Sequence, residues 1–257
     1  MKHIGFISLL VALLSVSCIA QYRAEGPVES RNVVLTGTAT AIAVSHGVDV
    51  VVDATLAQNE AHIMTHSDVI DFVKVYIEDK TLYVKLDASR SISTNTLEVR
   101  IPKFDYSSLA ISAGAEFSDR GYGGAELVIA ASAGAEVDIS GEVESLTVAA
   151  SAGADLSLDE LCVKQATISA SAGAEVDISG EADALTVAAS AGADLSLDEL
   201  RVKSATVSAS AGAEVEVYVT ESLVANASAG AEVSYKGNPQ SVEVSKSAGG
   251  TVEHDND

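Results

Sequence analysis

Between Leu146 and Leu158 the chain alternates between two kinds of position. Leu146, Val148, Ala150, Ala152, Ala154, Leu156 and Leu158 are aliphatic, whereas Thr147, Ala149, Ser151, Gly153, Asp155 and Ser157 are small or polar. Successive side chains of a strand point to opposite faces, so period two over this length predicts a strand with one buried face. The pattern returns with Ile168, Ala170, Ala172, Ala174, Val176 and Ile178, and again with Leu185, Val187, Ala189, Ala191, Ala193, Leu195 and Leu197. At the centre of each run the aliphatic residues shrink to alanine and a glycine stands on the polar side. This predicts a bend around a thin core, with Ala152, Ala172 and Ala191 inward and glycine supplying backbone angles closed to other residues. On that reading Ala172→Leu overpacks the bend, whereas Ser171→Leu, facing outward, is tolerated.

The pattern is periodic on a longer scale. Ser-Ala-Gly triplets begin at Ser112, Ser132, Ser151, Ser171, Ser190, Ser210, Ser228 and Ser247, at spacings of 20, 19, 20, 19, 20, 18 and 19. Ser132–Ala170 and Ser171–Ala209 are one 39-residue unit written twice, identical at 33 positions. A repeat near 20 residues without helical periodicity predicts an all-β parallel β-solenoid, a right-handed β-helix by preference, about 34 Å long at ~4.8 Å per step. Glycine at every corner, with Val, Ile and Thr in every strand, opposes a helical array. The stretches 140–145 and 159–165 read as exposed turns.

Outside the repeats the pattern is less regular. Lys2 and His3 precede an apolar run from Ile4 to Leu14, so 1–20 reads as a signal peptide. Small residues at Cys18 and Ala20 suit cleavage before Gln21. Alternatively Leu14-Ser15-Val16-Ser17-Cys18 is a loose lipobox that lipidates Cys18, although Ser15 stands where an aliphatic residue is usual. Residues 21–32 read as a linker, 33–107 as an irregular β-rich N-terminal cap, 108–252 as the repetitive solenoid and 253–257 as a disordered acidic tail. Lys246 occupies an inward position, where its stem can cover the open end of the last coil. The mature chain has no apolar run long enough to be a transmembrane segment. The expected location is therefore the periplasm, the cell envelope or the extracellular space.

Charge narrows the partners. The chain carries 15 Lys+Arg against 37 Asp+Glu, a formal net charge of −22. From Ala110 onward there are 25 acids and 6 bases, against 12 and 8 in Gln21–Leu109. Such a field repels nucleic acid and anionic lipid. Cys162 has no partner for a disulfide once Cys18 is assigned to the signal, and Arg201 fills its place in the next unit.

Four candidate chemistries arise from the residues. One carboxylate follows each corner: Glu116, Glu136, Asp155, Glu175, Asp194, Glu214 and Glu232. Stacked, they form either a calcium ladder or a solvated acidic stripe. The stripe is the simpler reading, because neighbouring carboxylates ~5 Å apart in water repel by only about 0.8 kcal/mol. His62 and His66, with Asp68 near, are a second candidate, but on a strand the two histidines lie roughly 13 Å apart. Thr147, Thr167, Thr186 and Thr206 form a hydroxyl row without the paired columns of an ice-binding face. Polysaccharide cleavage needs a unique acid cluster with a cation, and Arg120, Lys164, Arg201, Lys203, Lys236 and Lys246 supply none in this periodic setting. No catalytic residue or cofactor is expected.

The order of motifs resembles the bacterial head GIN-domain family of auto-transporter adhesins. Gly47-Val48-Asp49 stands where that family has its Gly-Ile-Asn step. Leu82–Leu86, Leu97–Pro102 and Leu109–Gly114 are similar to its central run, and Ser-Ala-Gly-Ala-Glu/Asp to its Ser-Gly-Ala-Gly corner. Val48 and Asp49 depart from the family's Ile and Asn. The resemblance covers roughly Val33 to Val252 and implies a secreted or envelope-attached solenoid with an adhesive or scaffolding role. The residues do not name a partner; cell-surface or envelope components and glycans are the candidates. Carbohydrate binding or processing and calcium binding are the alternatives.

Overall fold

The structure, a computed structural model, describes residues 22–87 and 92–255. The expected signal and Cys18 lie outside these residues. In chain order the strands are β1 (Tyr22–Arg23), β2 (Val28–Val34), β3 (Ala41–Ser45), β4 (Asp49–Val52), β5 (Glu60–His66), β6 (Val73–Glu78), β7 (Thr81–Leu86), β8 (Ile92–Ser93), β9 (Leu97–Ile101) and β10 (Ser108–Ser112). The long strands follow: β11 (Glu116–Ser132), β12 (Glu136–Ser151), β13 (Asp155–Ala170), β14 (Glu175–Ala189), β15 (Asp194–Ala209) and β16 (Glu214–Ala227). Then come β17 (Glu232–Lys236), β18 (Ser241–Lys246) and β19 (Thr251–His254). A single 3-10 turn, Ile70–Phe72, is the other regular element among the described residues. The architecture is the expected β-solenoid, each long strand pairing in parallel with the next.

Inward and outward positions separate as the alternation requires. Val137, Leu156, Val176, Leu195, Val215 and Val233 pair rung to rung in one buried column. The alternation skips three times per coil. After Leu156 and Leu158, both Asp159 and Glu160 point out; after Leu161 and Val163, both Lys164 and Gln165 do; after Ala166, Ile168 and Ala170 comes the Ser-Ala-Gly corner. Each coil therefore has three sides. The stretch 159–165 is a side rather than an exposed turn, because Leu161 and Val163 enter the core.

The Ser-Ala-Gly corner corrects one expectation. Ala172 (φ 54) and Gly173 (φ 68) are both left-handed, and the Ala174 amide donates to the Ser171 carbonyl at 3.3 Å. Two central residues with positive φ make a type I′ turn. Such a turn directs two successive side chains outward, so Ala152, Ala172 and Ala191 are exposed rather than inward. Counting by two across the corner fails for this reason, and Ala172→Leu has no core to overpack. The corners are also tied along the stack. The Gly153 amide donates to the Ala172 carbonyl at 3.2 Å, and Gly173 does the same to Ala191.

The 20/19 alternation in spacing has its own structural cause. The longer coil carries Glu160 (φ 54) and Leu161 where the shorter has Gly180 (φ 124), and pairing jumps from Leu158 to Leu161. The extra residue is absorbed as a bulge. A Cβ on Gly180 would fall 2.1 Å from the Leu161 carbonyl oxygen. Core volume is compensated within each coil. The coil with inward Leu161 has Ala166 at the position where its neighbour, with Gly180, has Leu185. Large and small side chains thus exchange places between stacked coils, keeping the interior filled.

The N-terminal segment differs from the irregular cap that was expected. β3 pairs in parallel with β10, and β4 with β11. Ser45 stands over Ser112 and Asp49 over Glu116, and His46 and Gly47 both have φ 66, so Ser45-His46-Gly47-Val48 is the same corner in degenerate form. Beyond it β7 and β9 add another parallel layer. The solenoid therefore extends into 33–107, in an order different from the chain's. Antiparallel β6, β5 and β2 finish this end, β2 taking up part of the expected linker. Arg31 lies opposite buried Ile63 and pairs with Asp71 at 2.8 Å. A charge on the core side of a terminal strand discourages edge-to-edge pairing.

At the other end Val242 and Val244 keep the inward register but are 40% and 44% exposed, since no coil covers them. The Lys246 amine, expected to reach water, instead donates from Nζ to the Val252 carbonyl at 3.0 Å. The tail was expected to be disordered from 253. Instead Glu253 and His254 belong to β19, and His254 stacks on Tyr235 at 4.6 Å.

Candidate functional site

Registered stacking turns every outward position into a column. Glu116, Glu136, Asp155, Glu175, Asp194, Glu214 and Glu232 pair consecutively and all are exposed. The column is longer than the repeats suggest, because Asp49 precedes Glu116 and Glu98 precedes Asp49. The Ser-His-Gly corner carried the signal for Asp49. Burial, then the charges of Glu98 and Glu136, push the Asp49 pKa up. Burial and Asp49 raise Glu116, and the charge of Glu116 leads the causes that raise Glu136. Among the described residues no group of three or more His, Cys, Asp or Glu is arranged to hold a metal ion.

The other sequence candidates are separate from this column. His66 directs Nδ1 to the Gly26 carbonyl oxygen at 2.6 Å and Nε2 to Asn95 Oδ1 at 2.8 Å. Two oxygens facing one ring favour the imidazolium, and the pKa is raised, the Gly26 contact contributing most. His62 instead lies 3.4 Å from Glu60. Asp68 accepts hydrogen bonds from the Glu25 amide and, with a smaller effect, the Tyr22 hydroxyl, which hold its pKa down. Thr147, Thr167, Thr186 and Thr206 form one exposed column. Cys162 is an exposed free thiol.

Asp119 is the feature that reading by residue type overlooked. It is 2% exposed and pairs with Ile139, in the inward register. The Tyr106 hydroxyl donates to its Oδ2 at 2.8 Å. Tyr106 lies edge-on to Phe117 and to Tyr122, whose hydroxyl contacts the Tyr106 and Glu126 carbonyls. Burial raises the Asp119 pKa, against the opposing Tyr106 hydrogen bond and the charge of Lys103. Burial also pushes Tyr122 up to about 12. An acid at an inward count from Phe117 was the available signal. The site is packed by aromatic rings and serves as a polar staple between the N-terminal layers and the repeats.

The middle side of the coils carries the clearest mixed chemistry. Lys164 pairs with Glu144 at 2.9 Å, and Lys203 with Asp183 at 2.6 Å. Beside them Glu142, Cys162, Glu181, Arg201 and Tyr218 follow one another in register. The Arg201 guanidinium lies over the Tyr218 ring, 4.9 Å from its centroid. Glu144, Cys162, Lys164, Glu181, Asp183, Arg201 and Lys203 line a shallow groove of about 360 Å³.

Residues 38–239 match the family described as "Putative auto-transporter adhesin, head GIN domain". No functionally curated protein matches the chain. Solved structures share the fold, among them the following three. One, from Parabacteroides distasonis ATCC 8503, is described as a "putative lipid binding protein" (TM-score 0.81, 14% identity, 92% of this chain and 100% of that one). Adhesin-described structures come from Parabacteroides merdae ATCC 43184 (0.78, 17%, 92% and 99%) and from P. distasonis ATCC 8503 (0.79, 17%, 91% and 100%). At these identities the likeness is one of fold.

Proposed function

Because the chain belongs to the head GIN-domain family, we propose that it is an exported, non-catalytic solenoid acting as an adhesion or scaffold surface toward envelope components or glycans. The observation that supports this reading is the registered stacking. It converts single outward residues into columns repeating every ~4.8 Å, the carboxylate and threonine columns among them. A surface built this way suits many weak, repeated contacts, whose combined avidity exceeds that of any one of them. In the same proposal residues 1–20 direct export, and Cys18 either anchors the chain through lipid or is removed with the signal. The mass of the mature N-terminus separates these two outcomes.

The test is retention of the purified mature chain on isolated bacterial envelopes and on a glycan array, with product release followed on the same glycans. Retention without turnover is the expected result. Release of reducing ends with time would replace this reading by the carbohydrate-active alternative.

A further inference from the structure

The duplicated units act as an internal comparison. Ser132–Ala170 and Ser171–Ala209 differ at six of 39 positions. Two of the differences are conservative changes in the core, Val143/Ala182 and Ile168/Val207. The outward ones are Glu144/Asp183, Ser145/Ala184, Cys162/Arg201 and Gln165/Ser204, and all four fall on the middle side or its corner. Outward positions of the other two sides are unchanged between the units, including Asp138/Asp177, Asp155/Asp194 and Thr147/Thr186, although several are equally exposed. Outward divergence is thus confined to the surface that carries two adjoining grooves. One is lined by Glu144, Cys162, Asp183 and Arg201, the other by Ser145, Gln165 and Ala184.

Resting on the adhesive reading above, we infer that this middle side is a binding site for an extended neutral polysaccharide lying along the solenoid axis. Glu144, Lys164, Asp183 and Lys203 alternate acceptor with donor from coil to coil. A sugar hydroxyl both donates and accepts, so each unit of the polymer meets a complementary pair. The step of ~4.8 Å between coils is close to the length of one pyranose ring, so register is kept along the chain. The three cations Lys164, Arg201 and Lys203 offset Glu144, Glu181 and Asp183, leaving the groove locally neutral on an acidic molecule. A polyanion gains nothing there and meets repulsion from the rest of the surface. Arg201 stacked on Tyr218 supplies a flat platform with outward N–H donors at one end.

The experiment is calorimetric titration of the mature protein with cello-, xylo- and manno-oligosaccharides of increasing length, with envelope retention measured in parallel. At least one neutral series should bind, with affinity rising with length. Arg201→Ser with Lys203→Gln should weaken it tenfold or more. Arg201→Ser places at 201 a side chain close in size to Cys162, which fills the equivalent position of the other unit two coils away, so the fold is retained, and an unchanged melting temperature confirms it. Glu175→Gln with Asp194→Asn, on another side, should leave the affinity unchanged. Envelope retention with every neutral oligosaccharide inert, or with polyanionic glycans bound instead, overturns this site while the adhesive reading stands. Equal oligosaccharide affinity in the Arg201/Lys203 variant also overturns it. Loss of envelope retention by the wild-type chain removes the adhesive reading itself.

Discussion

Alanine at the left-handed position of the corner is a compromise. An L-residue there costs roughly 1–2 kcal/mol relative to right-handed backbone, whereas glycine avoids that cost but loses about 0.5–1 kcal/mol of chain entropy. Ala172→Gly should therefore be neutral to stabilising by up to about 1 kcal/mol, and Ala172→Val clearly destabilising, because a β-branched side chain tolerates positive φ poorly. Urea melts of the two variants check the order; a more stable valine variant would contradict the corner geometry. Asp119 gives a second prediction at this scale. Its folded pKa is raised, so the folded state holds the proton more tightly than the unfolded one. Its contribution is most favourable below the ordinary value near 4 and is lost as the pH rises through the folded pKa. Relative to Asp119→Asn, the wild-type chain should lose stability as pH climbs from about 4, measured by denaturant melts across that range.

At the scale of the element, one coil is a closed packing problem with two solutions. The longer coil uses an inward leucine at 161 and alanine at 166, and the shorter uses glycine at 180 and leucine at 185. Gly180 allows the strands to approach until a Cβ would lie 2.1 Å from the Leu161 carbonyl oxygen, whereas a Cβ on Gly173 meets nothing within 4 Å. Gly173→Ala should cost about 1–2 kcal/mol from backbone conformation alone. Gly180→Ala adds a backbone clash and should cost substantially more, with loss of cooperative unfolding in the neighbouring coils as the accompanying sign. Equal melting midpoints for the two variants would show that this corner is looser than its geometry implies.

Across the whole molecule, the long-range property is the continuous carboxylate column. Asp49, Glu116 and Glu136 have raised pKa values, with burial or a neighbouring acid as the leading cause. Each therefore costs stability above the ordinary carboxylate range, in contrast to Asp53 and Asp68, whose lowered values act in the opposite sense. Glu116→Gln with Glu136→Gln should raise the melting temperature at pH 7. That gain should shrink toward pH 4, where wild-type carboxyls protonate, and in high salt, which screens the repulsion. Millimolar calcium and magnesium should act alike at matched ionic strength. A calcium-specific rise abolished in Glu175→Gln with Asp194→Asn would instead make the column a cation ladder.

Much of this was decided by the sequence. Hydrophobic positions every second residue, with Ser-Ala-Gly recurring near every twentieth, admit few alternatives to stacked parallel coils, because no isolated coil can bury its own inward face. The carboxylate column follows from that register. Tertiary structure decided what depends on contacts between coils. Two left-handed residues at each corner turn Ala172 outward, against the count by two. Ser45-His46-Gly47-Val48 joins the stack although 67 residues separate Ser45 from Ser112, since pairing recognises backbone register and not proximity in the chain. Asp119 became a buried staple because Tyr106, from the connection between β9 and β10, supplies its hydrogen bond. The middle side emerged as one surface only when Lys164, Asp183 and Lys203, spread along the chain, came to lie on successive coils, where registered pairing makes neighbours of residues about 20 positions apart.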